Sequence, residues 1–251
     1  MKPTLTILTG ASRGMGLAMA RQLLAQGGTL LTVSRTFNES LTSDAAAAGA
    51  TLVQWSADLA DGAMVAARLS GWLSGQPTGA FGAATLINNA GVIPRIGPLS
   101  EAGPDDLAHA LRVGLEAPMA LTAVFLRTTA GWNVPRKVLN ISSGLGRRAM
   151  ASQAGYCAAK AGMDHFTRCL ALEEALKPNG ATVCSLAPGV IDTDMQVTLR
   201  GADAGAFPDI GNFIGLKDKG LLTSPVDAAR QVLAYLQRAN FGANPVADVR
   251  D

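Results

Sequence analysis

Residues 9–16 read TGASRGMG, from Thr9 through Gly10, Ser12, Arg13, Gly14 and Met15 to Gly16, and they lie between a short apolar run, Thr4 to Leu8, and a helical pattern, Gly14 to Gln26. Each glycine has a mechanical use. Gly10 permits a tight turn off a strand, Gly14 lets the backbone approach a diphosphate, and Gly16 lets the following helix pack closely on a sheet. The start of that helix adds backbone N–H donors and a partial positive charge, so a dianion is stabilised there without a dedicated side chain. In a chain with 28 glycines such spacing means little by itself. The strand before it and the helix after it carry the dinucleotide reading.

Outward from this loop, β-type runs alternate with helical patterns. The runs are Leu30 to Ser34, Thr51 to Ser56, Ala84 to Asn88, Val138 to Ser142, Thr182 to Leu186 and a last short one at Val246 to Val249. Helices are predicted at Ala63 to Leu73, Asp105 to Arg127, Gly155 to Leu176 and Ser224 to Arg238, with Pro225 suited to a first helical turn. Each is long enough to cross over between parallel strands. The expected fold is therefore α/β: a single-domain, Rossmann-like, doubly wound parallel sheet of about seven strands with helices on both faces. Two stretches resist the pattern. Thr36 to Gly49 reads as a loop with a short helix, and Asp192 to Gly220 reads as a long irregular segment, interpreted as a mobile lid over a substrate.

At 251 residues the chain can build one large core, and 48% hydrophobic against 16% charged residues leaves a lightly charged surface that other subunits could cover. A net charge of +2 without like-charge blocks argues against nucleic acid or an acidic membrane as partner. No secretory leader or uninterrupted bilayer-spanning stretch is read, and Cys157, Cys169 and Cys184 match no metal-ligand spacing. A cytoplasmic chain with structural thiols and no metal is expected.

At the end of the second strand, where an NAD site places an acid for the ribose hydroxyl, the chain has Ser34 and Arg35. With Arg13 from the glycine loop, Arg35 can donate charge-assisted bonds to a 2′-phosphate, which favours NADP(H) over NAD(H). Asp58, followed by Leu59 in SADL, is placed to accept from an adenine amino group. Asn88, Asn89, Ala90 and Gly91 form a turn, NNAG, whose short amides can brace the open edge of the sheet.

Tyr156 and Lys160 lie four apart in a helical segment and share a face, and Ser143 stands thirteen residues before Tyr156 at the end of a strand, where open α/β sheets bind ligands. A phenol titrates near 10. An ammonium about 4 Å away is worth on the order of 4 kcal/mol at an effective dielectric of about 20, enough to draw that phenol towards neutrality and fit it for proton transfer to a carbonyl oxygen. Ser143 would hold that oxygen. His109 and His165 have no acid and nucleophile arranged around them, so a hydrolase triad has little support.

TGASRGMG, NNAG, NISSG, YCAAK and APGVIDTDM, in this order and spacing, resemble the short-chain dehydrogenase/reductase family along nearly the whole chain. The resemblance implies NAD(P)-linked oxidoreduction of a small carbonyl compound, cofactor contacts at Pro188, Gly189 and Val190, a bond from Thr193 to the nicotinamide carboxamide, and a homo-oligomer, dimer or tetramer, packed through long helices. ALEEAL, TDMQ, GLLTSP and the ending ADVRD resemble the sepiapterin and benzil reductases within it. There the residues about Met195 cover the substrate, Ser143 and Leu145 face it, and an acid near the C-terminus, here Asp248, anchors a pterin. One position departs: GLEAP carries Gly114 where relatives have an Asn that supports a bent helix and a proton-relay water, which implies a slower relay. An NAD-linked alcohol dehydrogenase and a non-catalytic dinucleotide-sensing regulator stand as the other readings.

Overall fold

Seven parallel strands form one sheet in the order β3-β2-β1-β4-β5-β6-β7. The computed structural model describes residues 2–77 and 79–251. Along the chain these elements are β1 (Thr4–Thr9), α1 (Gly14–Ala25), β2 (Thr29–Ser34), α2 (Ser40–Ala48), β3 (Thr51–Ser56), α3 (Gly62–Ser74), β4 (Ala83–Asn88), α4 (Pro104–Leu111), α5 (Ala117–Thr128), β5 (Arg136–Ile141), α6 (Ala154–Ala175), β6 (Thr182–Ala187), α7 (Asp194–Arg200), α8 (Ile210–Asp218), α9 (Pro225–Leu236) and β7 (Val246–Asp248). This is the doubly wound, Rossmann-like α/β fold expected from the alternating runs. Strand order reverses between β1 and β4, and a crevice opens there at the carboxyl ends of the strands.

Alternation along β1 divides the core into two layers. Leu5 and Ile7 face a layer with Trp55, Leu69, Phe125 and Leu170 from the α3, α5 and α6 side. Leu8 faces the opposite layer with Met19 of α1, Leu41 of α2 and Val232 of α9. Burying one such side chain, as for the fully buried Phe125, stabilises the fold by roughly 1.5–3 kcal/mol. Ser224 caps α9, its Oγ accepting from the Asp227 amide at 3.0 Å, with Pro225 in the first turn as the sequence suggests.

The helix expected over 105–127 is interrupted by a π-turn, Arg112–Glu116, between α4 and α5. Gly114 sits inside it, and a Cβ there would lie 3.1 Å from Cβ of Ala159 on α6. The glycine therefore allows α6 to approach where the helix bulges. Among the described residues, Pro104–Thr128 is the one helix with the length and mean hydropathy (1.2) to cross a bilayer, and 56% of its apolar window is buried inside the fold. Its apolarity is that of a core helix. The region 192–220 also differs from expectation, since it contains α7 and α8 and its Phe207 is fully buried. These helices are short and α8 buries no residue, so neither writes an apolar stripe into the sequence.

Candidate active site

At the carboxyl ends of the strands lies a cavity of about 950 Å³. Its wall at one end is the glycine turn. Gly10 has a φ of 72°, and a Cβ on it would stand 2.9 Å from the Ala90 Cα. A Cβ on Gly16 would fall 1.9 Å from the Gly10 carbonyl oxygen, so the first turn of α1 can rest on the loop only without a side chain there. Gly14, with a φ of 57°, faces Thr193, whose Cγ2 would lie 3.5 Å from an added Cβ.

The loop is braced from beneath. Asn89 donates from Nδ2 to the carbonyls of Thr9 at 2.9 Å and Gly10 at 3.1 Å, and the Thr9 hydroxyl accepts from the amides of Asn89 and Ala90. The Ala11 amide donates to Ser34 Oγ at 2.8 Å. Asn88 is buried, bonding Asn140 Oδ1 at 2.8 Å and the Thr122 hydroxyl at 3.1 Å. Asn89 and Ser34 are thus committed to holding the turn's shape. The α1 N-terminus, in contrast, has no side-chain cap, and its first residues line the cavity. Such an uncapped end above a glycine cradle fits a diphosphate.

Arg13, Ser12, Met15, Arg35, Asp58, Leu59 and Gly91 line the same end. Among the described residues Arg35 forms no ion pair, whereas Arg13 Nη1 meets Asp194 Oδ2 at 3.0 Å across an exposed gap between the glycine loop and α7. One Asp58 oxygen accepts from the Ala60 amide at 2.9 Å and caps a short turn. Pro188, Gly189, Val190 and Thr193 form the facing wall beyond β6.

Ser143, Tyr156 and Lys160 meet in the middle of the cavity. Ser143 follows β5, its Oγ accepting from the Leu145 amide at 3.2 Å on the same cavity wall as the Tyr156 phenol. The buried Lys160 donates to the Ile141 carbonyl at 2.7 Å, and its Nζ stands 5.8 Å from the Tyr156 ring centroid. Burial pushes the phenol above its ordinary value, against the lowering effect of Ser143. Burial also brings the Lys160 ammonium down to about 8, against the opposing charge of Asp164. The direction at Tyr156 is opposite to the one expected from sequence, where Lys160, helped by the positive nicotinamide of an oxidised cofactor, was set against the phenol. Here Lys160 is spent on a backbone carbonyl and desolvation dominates. The phenol accordingly stays protonated at neutral pH, which suits a proton donor.

At the far end lie Leu145, Met195, Gln153, Gln196, Arg148 and Asp248. Asp248 does not offer a free carboxylate: Arg250 binds both of its oxygens, at 2.6 and 2.7 Å, and holds it below the usual carboxylate range. All the residues read from sequence as cofactor, substrate or proton-transfer groups line this one cavity. Gln153 was not among them. A glutamine at a helix start carries no sequence mark of function, and only its burial sets it apart.

The family described as short chain dehydrogenase matches residues 4–204. A benzil reductase ((S)-benzoin forming) of Bacillus cereus is 34% identical over 94% of this chain and 94% of its own. A sepiapterin reductase of Xenopus tropicalis is also 34% identical, over 98% of this chain and 96% of its own. Among solved structures, a short-chain dehydrogenase/reductase from Burkholderia vietnamiensis superposes with a TM-score of 0.67 at 36% identity, covering 100% of this chain and 98% of that one. With its strand order, glycine cradle and Ser143, Tyr156 and Lys160 in one cavity, the chain belongs to the short-chain dehydrogenase/reductase family of oxidoreductases, which use nicotinamide dinucleotides.

Proposed function

We propose that this protein is an NADP(H)-dependent carbonyl reductase acting on small ketones, aldehydes, dicarbonyls or pterin side chains. The observation that carries the reading is the convergence of Ser143, Tyr156 and Lys160 on the cavity that the glycine loop opens. Gly10, Gly14 and Gly16 would hold the diphosphate of a dinucleotide and Arg35 and Asp58 its adenosine end, and the group when bound would supply the hydride that reaches the carbonyl carbon. Ser143 holds the carbonyl oxygen. Tyr156 gives that oxygen its phenolic proton as the C=O electron pair moves onto it, and the Lys160 ammonium returns a proton to the phenolate. Thr193, Pro188, Gly189 and Val190 position the nicotinamide end, and α7 and α8 form the lid. NADP(H) is favoured because Arg35 has no carboxylate partner among the described residues.

Free thiols at Cys157, Cys169 and Cys184 suit a reducing cytoplasm. The exposed apolar residues Leu111 on α4, Met119 on α5, Leu172 on α6 and Leu176 just past its end suit a homo-oligomer packed through these helices, with neither nucleic acid nor membrane as partner. One experiment tests the core of this: a carbonyl panel including a diketone and a pterin, with NADPH and NADH oxidation followed for wild type, Arg35→Asp and Tyr156→Phe. NADPH should be preferred, Arg35→Asp should reverse the preference, and Tyr156→Phe should lose about 10³-fold in kcat while still binding nucleotide. Turnover surviving in Tyr156→Phe would sink the assignment of the phenol.

A further inference from the structure

Asp164 lies on α6 one helical turn beyond Lys160 and is 1% exposed, so its carboxyl group has left water. A carboxylate is kept in such a place only where hydrogen bonds and an opposite charge answer it. Both oxygens are answered. Oδ1 accepts from the Ser185 hydroxyl of β6 at 2.6 Å, and Oδ2 accepts from Nε of Arg147 at 3.2 Å. Arg147 donates in turn from Nη2 to the Ala247 carbonyl of β7 at 2.6 Å. Well-packed apolar residues often stabilise a fold as much as a buried ion pair does, so stability alone is a weak account of this one.

Its location ties it to the proton-transfer groups. Arg147 closes the turn that begins at Ser143: the Gly146 amide donates to the Ser143 carbonyl at 2.9 Å and the Arg147 amide to the Gly144 carbonyl at 3.1 Å. Gly146 rests directly on α6, since a Cβ there would stand 2.9 Å from Asp164 Oδ2 and 3.0 Å from the Lys160 carbonyl oxygen. On the near side of the serine, Lys160 Nζ donates to the Ile141 carbonyl at 2.7 Å. The segment that carries Ser143 is therefore fastened to α6 twice, by Lys160 before the serine and by Asp164 after it. The other titratable groups around Lys160 are few. Tyr156 stands one turn before it, and the Cys184 thiol of β6, pushed up to about 12 chiefly by burial, lies near Asp164 and Arg147. Asp248 lies beyond Arg147 and is held by Arg250. His109 of α4 lines the same cavity, while Arg112 and Glu116 of the π-turn are exposed to solvent.

We infer that Asp164 and Arg147 are positioning residues, which fasten the turn behind Ser143 to α6 and thereby set the serine hydroxyl in its place among Tyr156 and Lys160. This rests on the carbonyl-reductase reading above. The pair acts through Ser143 and Lys160, and its two members act on the lysine with opposite sign. The Asp164 carboxylate favours the ammonium one turn away, and the Arg147 guanidinium offsets that carboxylate.

The test follows kcat and KM across the alkaline range, for the carbonyl compound that wild type reduces fastest, in Asp164→Asn, Arg147→Met and the variant carrying both changes. Melting temperature and nucleotide binding by calorimetry establish that each is folded. In every variant kcat should fall about tenfold, with KM and the nucleotide dissociation constant within about threefold of wild type, because the loss is one of geometry at the reacting groups. The high-pH limb of kcat should move to lower pH in Asp164→Asn and to higher pH in Arg147→Met, by about half a unit each. Loosened packing cannot give shifts of opposite sign. The double variant leaves neither charge buried without its partner, so it should fold even where a single variant does not, and its loss in kcat at unchanged KM then decides the matter. A double variant within about twofold of wild type in kcat, or folded single variants whose limbs stay put or move the same way, overturns the inference and leaves the reductase reading standing. A wild type that reduces no carbonyl compound with either nucleotide overturns both.

Discussion

At the glycine-loop end of the cavity Asn89, Thr9 and Ser34 are bonded to the backbone of the turn, while at the other end Gln153 and Gln196, with Ser142 between the two ends beside Ser143, present atoms with no protein partner among the described residues. Polar side chains at the first end are structural, holding a backbone surface of amides and a helix end that is the seat proposed for a diphosphate. At the second they are unpaired, and so available to a ligand. Shape made by glycines is tolerant of sequence around it but intolerant of any added atom. Recognition made by unpaired amides has the opposite property, because the fold survives their loss and the choice of ligand does not.

The largest effect should come from breaking the first end. A Cβ at Gly16 would collide with the Gly10 carbonyl at 1.9 Å, so Gly16→Ala must push α1 off the loop. Nucleotide binding, followed by calorimetry, should then weaken beyond about 100-fold. Binding within a factor of three of wild type would mean that the cradle is not the nucleotide's seat.

The next effect lies between the two ends, at Lys160. With its amine near 8, reduction that needs the ammonium should decline about tenfold per pH unit above that value, and Lys160→Arg should remove the decline. Stability should move the other way. In the unfolded chain the lysine titrates near 10.5, so between about 8 and 10.5 the unfolded state binds more protons and the fold gains stability as pH rises. Denaturant unfolding across that window, read beside the rate profile, checks both signs.

The smallest effect is expected at the π-turn. Gly114→Asn places a Cβ 3.1 Å from Ala159, one residue before Lys160, and should lower Tm by about 2–4 °C. If the amide supports the relay water of relatives, kcat should rise by no more than severalfold. An unchanged Tm together with an unchanged pH profile would leave position 114 without a role.

The sheet was legible because its inner strands are largely buried on both faces and appear as short apolar runs bounded by turn residues, and the glycine turn because each glycine answers a contact that sequence context foretells. Ser143, Tyr156 and Lys160 could be brought together from spacing alone, but their electrostatics could not. Desolvation depends on the walls around them, which come from residues scattered over the chain. The π-turn was missed because one extra residue in a helical turn leaves the apolar face nearly continuous. The pairing of Asp248 with Arg250 was missed because it depends on the turn that follows β7, which brings Arg250 back onto the last residue of the strand. Gln153 was missed because in one dimension an orphaned amide and a solvated one are identical.

Parallel pairing has a further consequence for how the molecule comes into being. β1 is hydrogen-bonded to β4 with Thr4 opposite Ala83, and the last strand enters only with Val246. Closing loops of that length precedes any reward from the contacts they make, so folding is slow relative to helical proteins of like size. The nucleotide cradle joins the first turn of the chain to Asn89 and Thr193, and it is complete only when most of the polypeptide has been made. During synthesis, then, a nucleotide seated on this cradle as proposed would be a ligand for the finished chain and could not template its early half.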